Sequence, residues 1–549
     1  LSEKRREFAV IDCETDPFKE GRTDIKPFIW GFYTRTKKGA IEYQQFLDFA
    51  GLLDYIGERK LLILAHNGGR FDYLFIADYL ENMSDMLLIN GRMASFRIKN
   101  CEFRDSYNII PIPLSDYQKD EIDYGIMEKG EREKPENWKL ISDYLYSDCE
   151  FLYDIVERYY NEMGRNLTLA GGCMKMWSKM RGEKAPKGHA TFHDFFKRFY
   201  YGGRVECFAH GIIKTKFNVY DINSAYPEAM LHDHPYGFVY GFTKEIHERG
   251  FYHVRAKSGG AFPVNTGKGL DFPRDWVSRE YFVTGWELIA AQETHTCEVE
   301  EIIAGYTFDQ TVDFTEYITH FWEKRQVSKM EGDKAGDIIN KTSMNGLYGK
   351  FGSNPQNYSK NMIVEPSMAR VIVDSSADDD NPWRYAGDFG KWALMERDLE
   401  DEEQRFYNVA VAASITGYVR AKLWRSICVC GIDNMLYCDT DSLSTTGEPD
   451  NIGTALGQWK NEGEFTEAAI AGKKLYAFKF ANPQKDKKTG DVKYYKTASK
   501  GAKLTPEEII SVASGAIVSF TPLAPSMSIK SSPKIVTRKI QKTFAFKTI

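Results

Sequence analysis

Leu436-Tyr437-Cys438-Asp439-Thr440-Asp441-Ser442 is the stretch on which the rest of the chain turns. An apolar run leads into two acids spaced i, i+2, and Leu443-Ser444 follows. The pattern reads as a tight β-hairpin with both carboxylates at its tip, because residues two apart in a strand project to the same face. Two carboxylates on one face repel unless something positive lies between them, and a divalent metal ion is the usual answer. A solvated turn also carries such acids, so the stretch takes its meaning from partners elsewhere.

The first partner is Val219-Tyr220-Asp221-Ile222-Asn223-Ser224-Ala225-Tyr226-Pro227. It reads as a strand breaking into a helix, with Pro227 suited to the first turn. An acid at a strand's C-terminal end is well placed for a metal, so Asp221 and Asp441 are expected to meet across adjacent strands. A helical hairpin opens at Phe321-Trp322-Glu323-Lys324-Arg325, and a second helix is expected over Asp337 to Leu347. Lys341, Asn345 and Tyr348 fall at i, i+4, i+7 and would share one face. Lys341 could there meet an anion and Tyr348 could stack on a flat ring. Lys329, on the opposing helix, is spaced as a second such cation would be. A solvated lysine is the plainer reading, although a core face would be aliphatic.

The N-terminal third holds a second acidic set. Phe8-Ala9-Val10-Ile11 reads as a buried strand running into Asp12-Cys13-Glu14-Thr15. Leu61-Leu62-Ile63-Leu64-Ala65 is another, ending in His66-Asn67-Gly68-Gly69, with a helical pattern after it that carries Asp72 in its first turn. Leu140 to Tyr160 reads as a helix placing Tyr144 and Asp148 on one face. Asp12, Glu14, Asp72 and Asp148 supply the carboxylates that a two-metal hydrolytic site needs to hold Mg²⁺ or Mn²⁺ ions about 3.5–4 Å apart. Tyr144 could orient the attacking water.

Bulk properties set broad bounds. With 549 residues the chain exceeds one core, and about three to five domains are expected. A net charge of −6 does not by itself announce a nucleic-acid binder, though a basic channel can sit inside an acidic shell. The 9 cysteines are dispersed without zinc spacing, as in reduced cytosolic proteins. No run approaches the ~18 apolar residues of a membrane span, no signal peptide precedes Phe8, and the start at Leu1 without Met suggests missing leading residues. Asp378-Asp379-Asp380 and Asp398-Leu399-Glu400-Asp401-Glu402-Glu403 would repel DNA and are placed on the outer surface of a solvated loop. From Pro522 to Ile549 there are 6 basic residues (Lys530, Lys534, Arg538, Lys539, Lys542, Lys547) and no acids, a composition suited to salt-dependent contact with a duplex.

In order along the chain, Asp12-x-Glu14, Asn67-x-x-x-x-Asp72 and Tyr144-x-x-x-Asp148 resemble the three motifs of the proofreading 3′→5′ exonuclease of family B DNA polymerases. Asp221 to Pro227 resembles motif A, with Ala225 where Leu is usual. Lys341-Thr342-Ser343-Met344-Asn345-Gly346-Leu347-Tyr348-Gly349 resembles motif B, with Gly346 where Ser is usual. Tyr437 to Ser442 resembles motif C, and Lys474-Leu475-Tyr476 the K-x-Y motif that grips the primer strand. The resemblance implies that Asp12, Glu14, Asp72 and Asp148 bind the exonuclease metals. It implies that His66, Asn67, Phe71 and Ser106 contact the frayed 3′ end, and that Lys119 acts as a catalytic lysine near Tyr124. Asp221 and Asp441 would hold two divalent ions with help from the Ile222 carbonyl, and Asp439 would support them. Tyr226 would pack under the sugar and exclude a 2′-OH, which distinguishes RNA building blocks. Tyr200, Gly202 and Gly203 match the Y-x-G-G segment that hands DNA between sites. Lys474, Tyr476 and Lys500 are candidates for the primer or template backbone.

The implied architecture is an α/β and α+β multidomain chain, with an RNase H-like exonuclease domain (1–165) before a right-hand polymerase. A connecting segment (166–216) would lead to the palm with motif A (217–230), then an insertion contacting a priming protein (231–315). Fingers (316–353), a second insertion (354–407), the palm with motif C (408–470) and a thumb with basic tail (471–549) complete it. The resemblance is closest to small protein-primed phage enzymes, in which a second insertion helps encircle DNA and displace the downstream strand. The expected partners are primer-template DNA, a displaced single strand, dNTPs and a terminal protein. The expected state is a monomer or a heterodimer with that protein in the host (bacterial) cytoplasm. A conventionally primed family B polymerase, and a nuclease with a DNA-binding C-terminal half, remain as alternatives.

Overall fold

The structure, a computed structural model, describes residues 7–545 other than 20, 21, 23, 24, 118, 119, 486–489, 500, 503, 521, 522, 527–535, 540 and 541. Lys119, Lys500 and much of the basic tail lie outside the described residues.

The apolar run of Glu7–Thr15 forms a central strand, antiparallel to Pro27–Arg35 and parallel to Leu61–Ala65. Leu61–Ala65 in turn pairs parallel with Cys101–Asp105. Every residue of Leu61–Ala65 is buried, as parallel strands covered on both faces require. The helix Pro135–Met163 covers one face, starting on Pro135 where a missing N–H costs nothing. Its buried stripe of Ile141, Tyr144, Leu145, Asp148 and Leu152 keeps the 3.6-residue period.

The helical pattern expected after Asn67 is instead three 3₁₀ turns, Gly68–Arg70, Asp72–Leu74 and Ala77–Tyr79. Asn67 is left-handed at φ +61°. The Tyr73 hydroxyl accepts from Ala65 N (2.8 Å) and donates to Arg104 O (2.7 Å), which pins the segment against the sheet.

This sheet grows to ten strands by recruiting Ser359–Val364, Arg384–Phe389 and Trp392–Asp398 from the expected second insertion. Ser359–Val364 pairs with Ser84–Ile89. Trp392 Nε1 donates to Ala77 O (2.9 Å), and Ile363, Phe389 and Leu394 are buried in the N-terminal core. The acidic runs sit mostly exposed in the turns, as expected, and the rest of the segment is three strands and the helix Pro366–Ser375. Its alternate apolar side chains complete a core that the N-terminal strands leave uncovered.

A second, antiparallel sheet of eight strands lies at the centre. Phe217–Ile222 runs between Ser442–Thr445 and Trp459–Gly472, and Met435–Asp439 lies beyond Ser442–Thr445. The helix Val409–Cys430 is apolar nearly all round and buried along most of its length, as a core helix must be. Trp459 Nε1 donates to Ser426 Oγ of that helix (3.0 Å). Helices Thr315–Glu331 and Lys334–Gly346 form the expected hairpin. Residues 231–315 fold as a four-stranded antiparallel sheet, with helix Gly285–Glu293 entered through a Thr284/Glu287 capping box. No helix among the described residues is long and apolar enough to cross a membrane.

Candidate active sites

The central sheet positions one acidic pair. Asp221 lies opposite Ser442 on one neighbouring strand and Lys460 on the other. The Asp441 N–H donates to Asp439 O (2.6 Å), closing a three-residue turn around Thr440, which has φ +59°. Asp439 and Asp441 therefore do not share one straight strand as the i, i+2 spacing suggested. The Ile222 N–H donates to Asp441 O (2.8 Å), so the backbones bearing Asp221 and Asp441 are joined directly.

The chemistry of that pair follows from burial first and from mutual repulsion second. The Asp221 carboxyl is pushed up to about 6, first by burial and then by Asp441. Asp441 is raised too, chiefly by burial. Asp439 is differently placed: Lys474 Nζ reaches both its oxygens (3.0 and 2.9 Å). Left-handed Ser224, Thr440 and Lys474 (φ +57°, +59° and +58°) surround the site. Strained non-glycine backbone of this kind persists where surrounding structure over-determines it, and a β-branched Thr there is an outlier.

The surroundings fix the turn. The Thr440 N–H donates to Arg204 O (2.6 Å). A Cβ on Gly203 would lie 2.6 Å from the Thr440 side chain, so only glycine admits this approach. Arg420 Nη1 donates to Tyr201 O (2.7 Å) and Gly202 O (3.0 Å), while its Nε meets Glu287 in a buried ion pair (2.7 Å). Tyr200 packs against Gly352. Tyr476 stacks on Phe478 (4.2 Å).

The helical hairpin faces this pair with cations. Burial holds the Lys329 ammonium below the usual lysine range, and the nearby charges of Arg325, Lys341 and Lys460 add to the effect. Arg325 donates to Asp337 (2.7 Å) and to Ser224 Oγ (3.4 Å). Asn345 Nδ2 caps Lys341 O (2.8 Å). The second helix ends at Gly346, and Tyr348 opens a separate short helix, Tyr348–Phe351, so the single face expected for Lys341, Asn345 and Tyr348 is interrupted. Tyr348 instead stacks on Tyr226 at 4.4 Å and 9°.

The N-terminal sheet positions a second acidic set in a cleft of 880 Å³. Asp12, Glu14 and Asp148 each bring an oxygen within 4.8 Å of the others. Asp72 lies deeper, pushed up to about 6 mainly by burial, and Cys13 Sγ donates to its Oδ1 (3.2 Å). The Tyr144 hydroxyl is 3.3 Å from that of Tyr124, and burial followed by the Asp148 charge raises its pKa. His66, Asn67 and Phe71 line the cleft. Ser106 does not: it is fully buried and bonds His66 Nδ1 (3.0 Å).

Both acidic sets consist of hard carboxylate oxygens brought close together, a donor set that fits divalent cations. Motif reading missed Arg325, Lys460 and Lys496 near the first set, and Arg92 at the second, where it bonds Asn67 Oδ1 (2.9 Å) and stacks on Tyr107 (4.3 Å). Arg325 stands one helical turn before Lys329 and was findable on that ground. Lys460 owes its place to strand register alone.

A carboxylate pair on an antiparallel sheet, faced by a cationic helical hairpin, thus lies in one chain with a separate acidic cleft. Residues 111–423 match the family described as DNA polymerase type B, organellar and viral. The chain belongs to that family. It is 34% identical to the DNA-directed DNA polymerase of Enterobacteria phage PRD1, over 99% of each chain. The DNA polymerase of Streptococcus phage Cp-1 is 26% identical, over 91% of this chain and 87% of its own. Among solved structures, Phi29 DNA polymerase complexed with primer-template DNA superposes with a TM-score of 0.75, at 18% identity, over 99% of this chain and 100% of that one. The fold is thus that of an exonuclease joined to palm, fingers and thumb.

Proposed function

We propose that the central pair is the polymerisation site and the N-terminal cleft a 3′→5′ editing site, and that synthesis of a linear genome starts from a terminal protein. The observation carrying the first reading is the register that sets Asp221 beside the Asp441 turn, under the cations of the fingers. In the forward reaction a primer 3′-oxygen bonds to the dNTP α-phosphorus, the α–β bridging bond breaks, and pyrophosphate leaves. Lys329 and Lys341 would neutralise the triphosphate. Tyr226 and Tyr348 would wall the sugar and base. Lys474, tied to Asp439, would hold the primer strand beside the turn. Divalent cations held by Asp221 and Asp441 would lower the hydroxyl pKa and stabilise the leaving group.

In the cleft, Asp12, Glu14, Asp72 and Asp148 would hold the cations of a hydrolytic reaction, with Tyr144 orienting water. His66, Asn67 and Phe71 would receive a frayed end, with Ser106 fixing the His66 ring. Lys119 is assigned by resemblance alone.

Protein priming rests on residues 231–315, which stand between motifs A and B as a separate sheet with an exposed apolar end, where Val239, Tyr240 and Phe242 are 67%, 37% and 83% exposed. Such a patch suits a protein partner. The enzyme would work in the cytoplasm of the phage host. The test is incubation with the cognate terminal protein and labelled dATP, without nucleic-acid primer. Labelled protein is expected; its absence, with primer extension intact, would leave a conventionally primed enzyme.

A further inference from the structure

Three finger cations, Arg325, Lys329 and Lys341, have an unassigned counterpart on the palm. Lys460 stands directly opposite Asp221 on the adjoining antiparallel strand. Residues paired in this way project to the same face with Cβ atoms about 4.5–5.5 Å apart, so Lys460 emerges beside the catalytic carboxylate. Its ammonium lies 2.6 Å from Glu462, and both side chains are substantially exposed. Its charge is also felt by Lys329 across the gap between palm and fingers. Arg325 bridges that gap to Ser224, so the two walls are in register without a ligand.

Arg325, Lys341 and Lys460 all act on Lys329, and the charges of Lys460 and Lys496 reach Asp221 as that of Lys341 reaches Asp441, while Asp337 and Glu462 are ion-paired with Arg325 and Lys460. Like charges at such range repel unless an anion joins them. The anion that fits is a polyphosphate, with non-bridging oxygens on successive phosphorus atoms for cations on opposite walls.

We propose that Lys460 is a palm-side contact for the β- and γ-phosphates of the incoming nucleotide and, in the reverse reaction, for inorganic pyrophosphate. This rests on the reading of Asp221 and Asp441 as the polymerisation site. Lys460 closes from the palm side the ring that the finger helices begin, and it stays with pyrophosphate after the α–β bond has broken.

The test compares full-length wild type with K460A and K460R, using single-turnover incorporation over a range of dNTP and pyrophosphorolysis over a range of inorganic pyrophosphate. K460A is expected to weaken apparent affinity for both by about tenfold, the worth of one charge-assisted hydrogen bond. K460R should stay close to wild type, and digestion of single-stranded DNA should be unchanged in both. Unchanged affinities in K460A overturn the proposal. So does a lower maximal rate at constant affinity, which would mean that Lys460 acts on Asp221 rather than on phosphate. If wild type itself shows no template-directed incorporation, the underlying site assignment fails instead.

Discussion

Restoring the family-typical serine at position 346 should harm this chain. Gly346 ends the helix Lys334–Gly346, which lies against the helix Leu169–Met180. A Cβ at 346 would stand 2.9 Å from Cys173 Sγ and 3.1 Å from Leu169 Cγ. Gly→Ser relieves a helix penalty of about 0.5 kcal/mol, whereas forcing extra atoms into a packed contact costs about 1–3 kcal/mol. G346S should therefore lose about 1–2 kcal/mol net. C173A removes the obstructing sulfur, which also bonds Ser343 O (3.4 Å), and should cost about 1 kcal/mol alone. In the double variant the serine should cost little, giving a coupling of about 1–2 kcal/mol in a double-mutant cycle. Denaturant midpoints of the four proteins measure this. Because Tyr348 follows two residues on and stacks on Tyr226, G346S should also raise the dNTP KM. Equal stability of G346S and wild type, or the same loss in both backgrounds, would refute the packing argument.

The two sites should separate cleanly: D221A or D441A should abolish primer extension and spare 3′ digestion, while D12A with D148A should do the reverse, both read on a labelled hairpin. Asp221 and Asp72, both pushed up to about 6, bind protons more tightly folded than unfolded, where aspartate titrates near ~4. In chelator, their contribution to stability is fully present below that value and is lost as pH rises through about 6. Melting curves with Mg²⁺ added should recover it, and an EDTA profile that D221N and D72N leave unaltered would contradict this. E287A strands the buried Arg420 guanidinium and should cost about 3–5 kcal/mol, checked by chemical denaturation. Replacing Tyr226 by Val should admit ribonucleotides, scored by alkali-labile product.

The acidic motifs were legible because each couples a local pattern to a chemical need. Asp12, Glu14 and Asp148 follow strand and helix periods and do converge. Asp221 and Asp441 were paired by reasoning about strand ends, and register brings them together. What escaped reading depends on distant partners. Nothing near Ser359–Val364 announces that it will pair with Ser84–Ile89. The apolar spacing after Asn67 suits an α-helix, yet Tyr73 holds it in 3₁₀ turns. Arg420 and Glu287 each look like surface charges in one dimension, and meet only because two helices cross.

The shared ten-stranded sheet sets a schedule for synthesis on the ribosome. Its final strand, Trp392–Asp398, is made long after the first, Glu7–Thr15. At about 5–20 residues per second, the nascent N-terminal sheet waits on the order of ten seconds to a minute with Ser84–Ile89 as a bare edge. Such an edge invites pairing with other chains. A truncated gene ending before Ser359 would make that exposure permanent, so recombinant fragments of the N-terminal half should be insoluble unless the missing strands are grafted back.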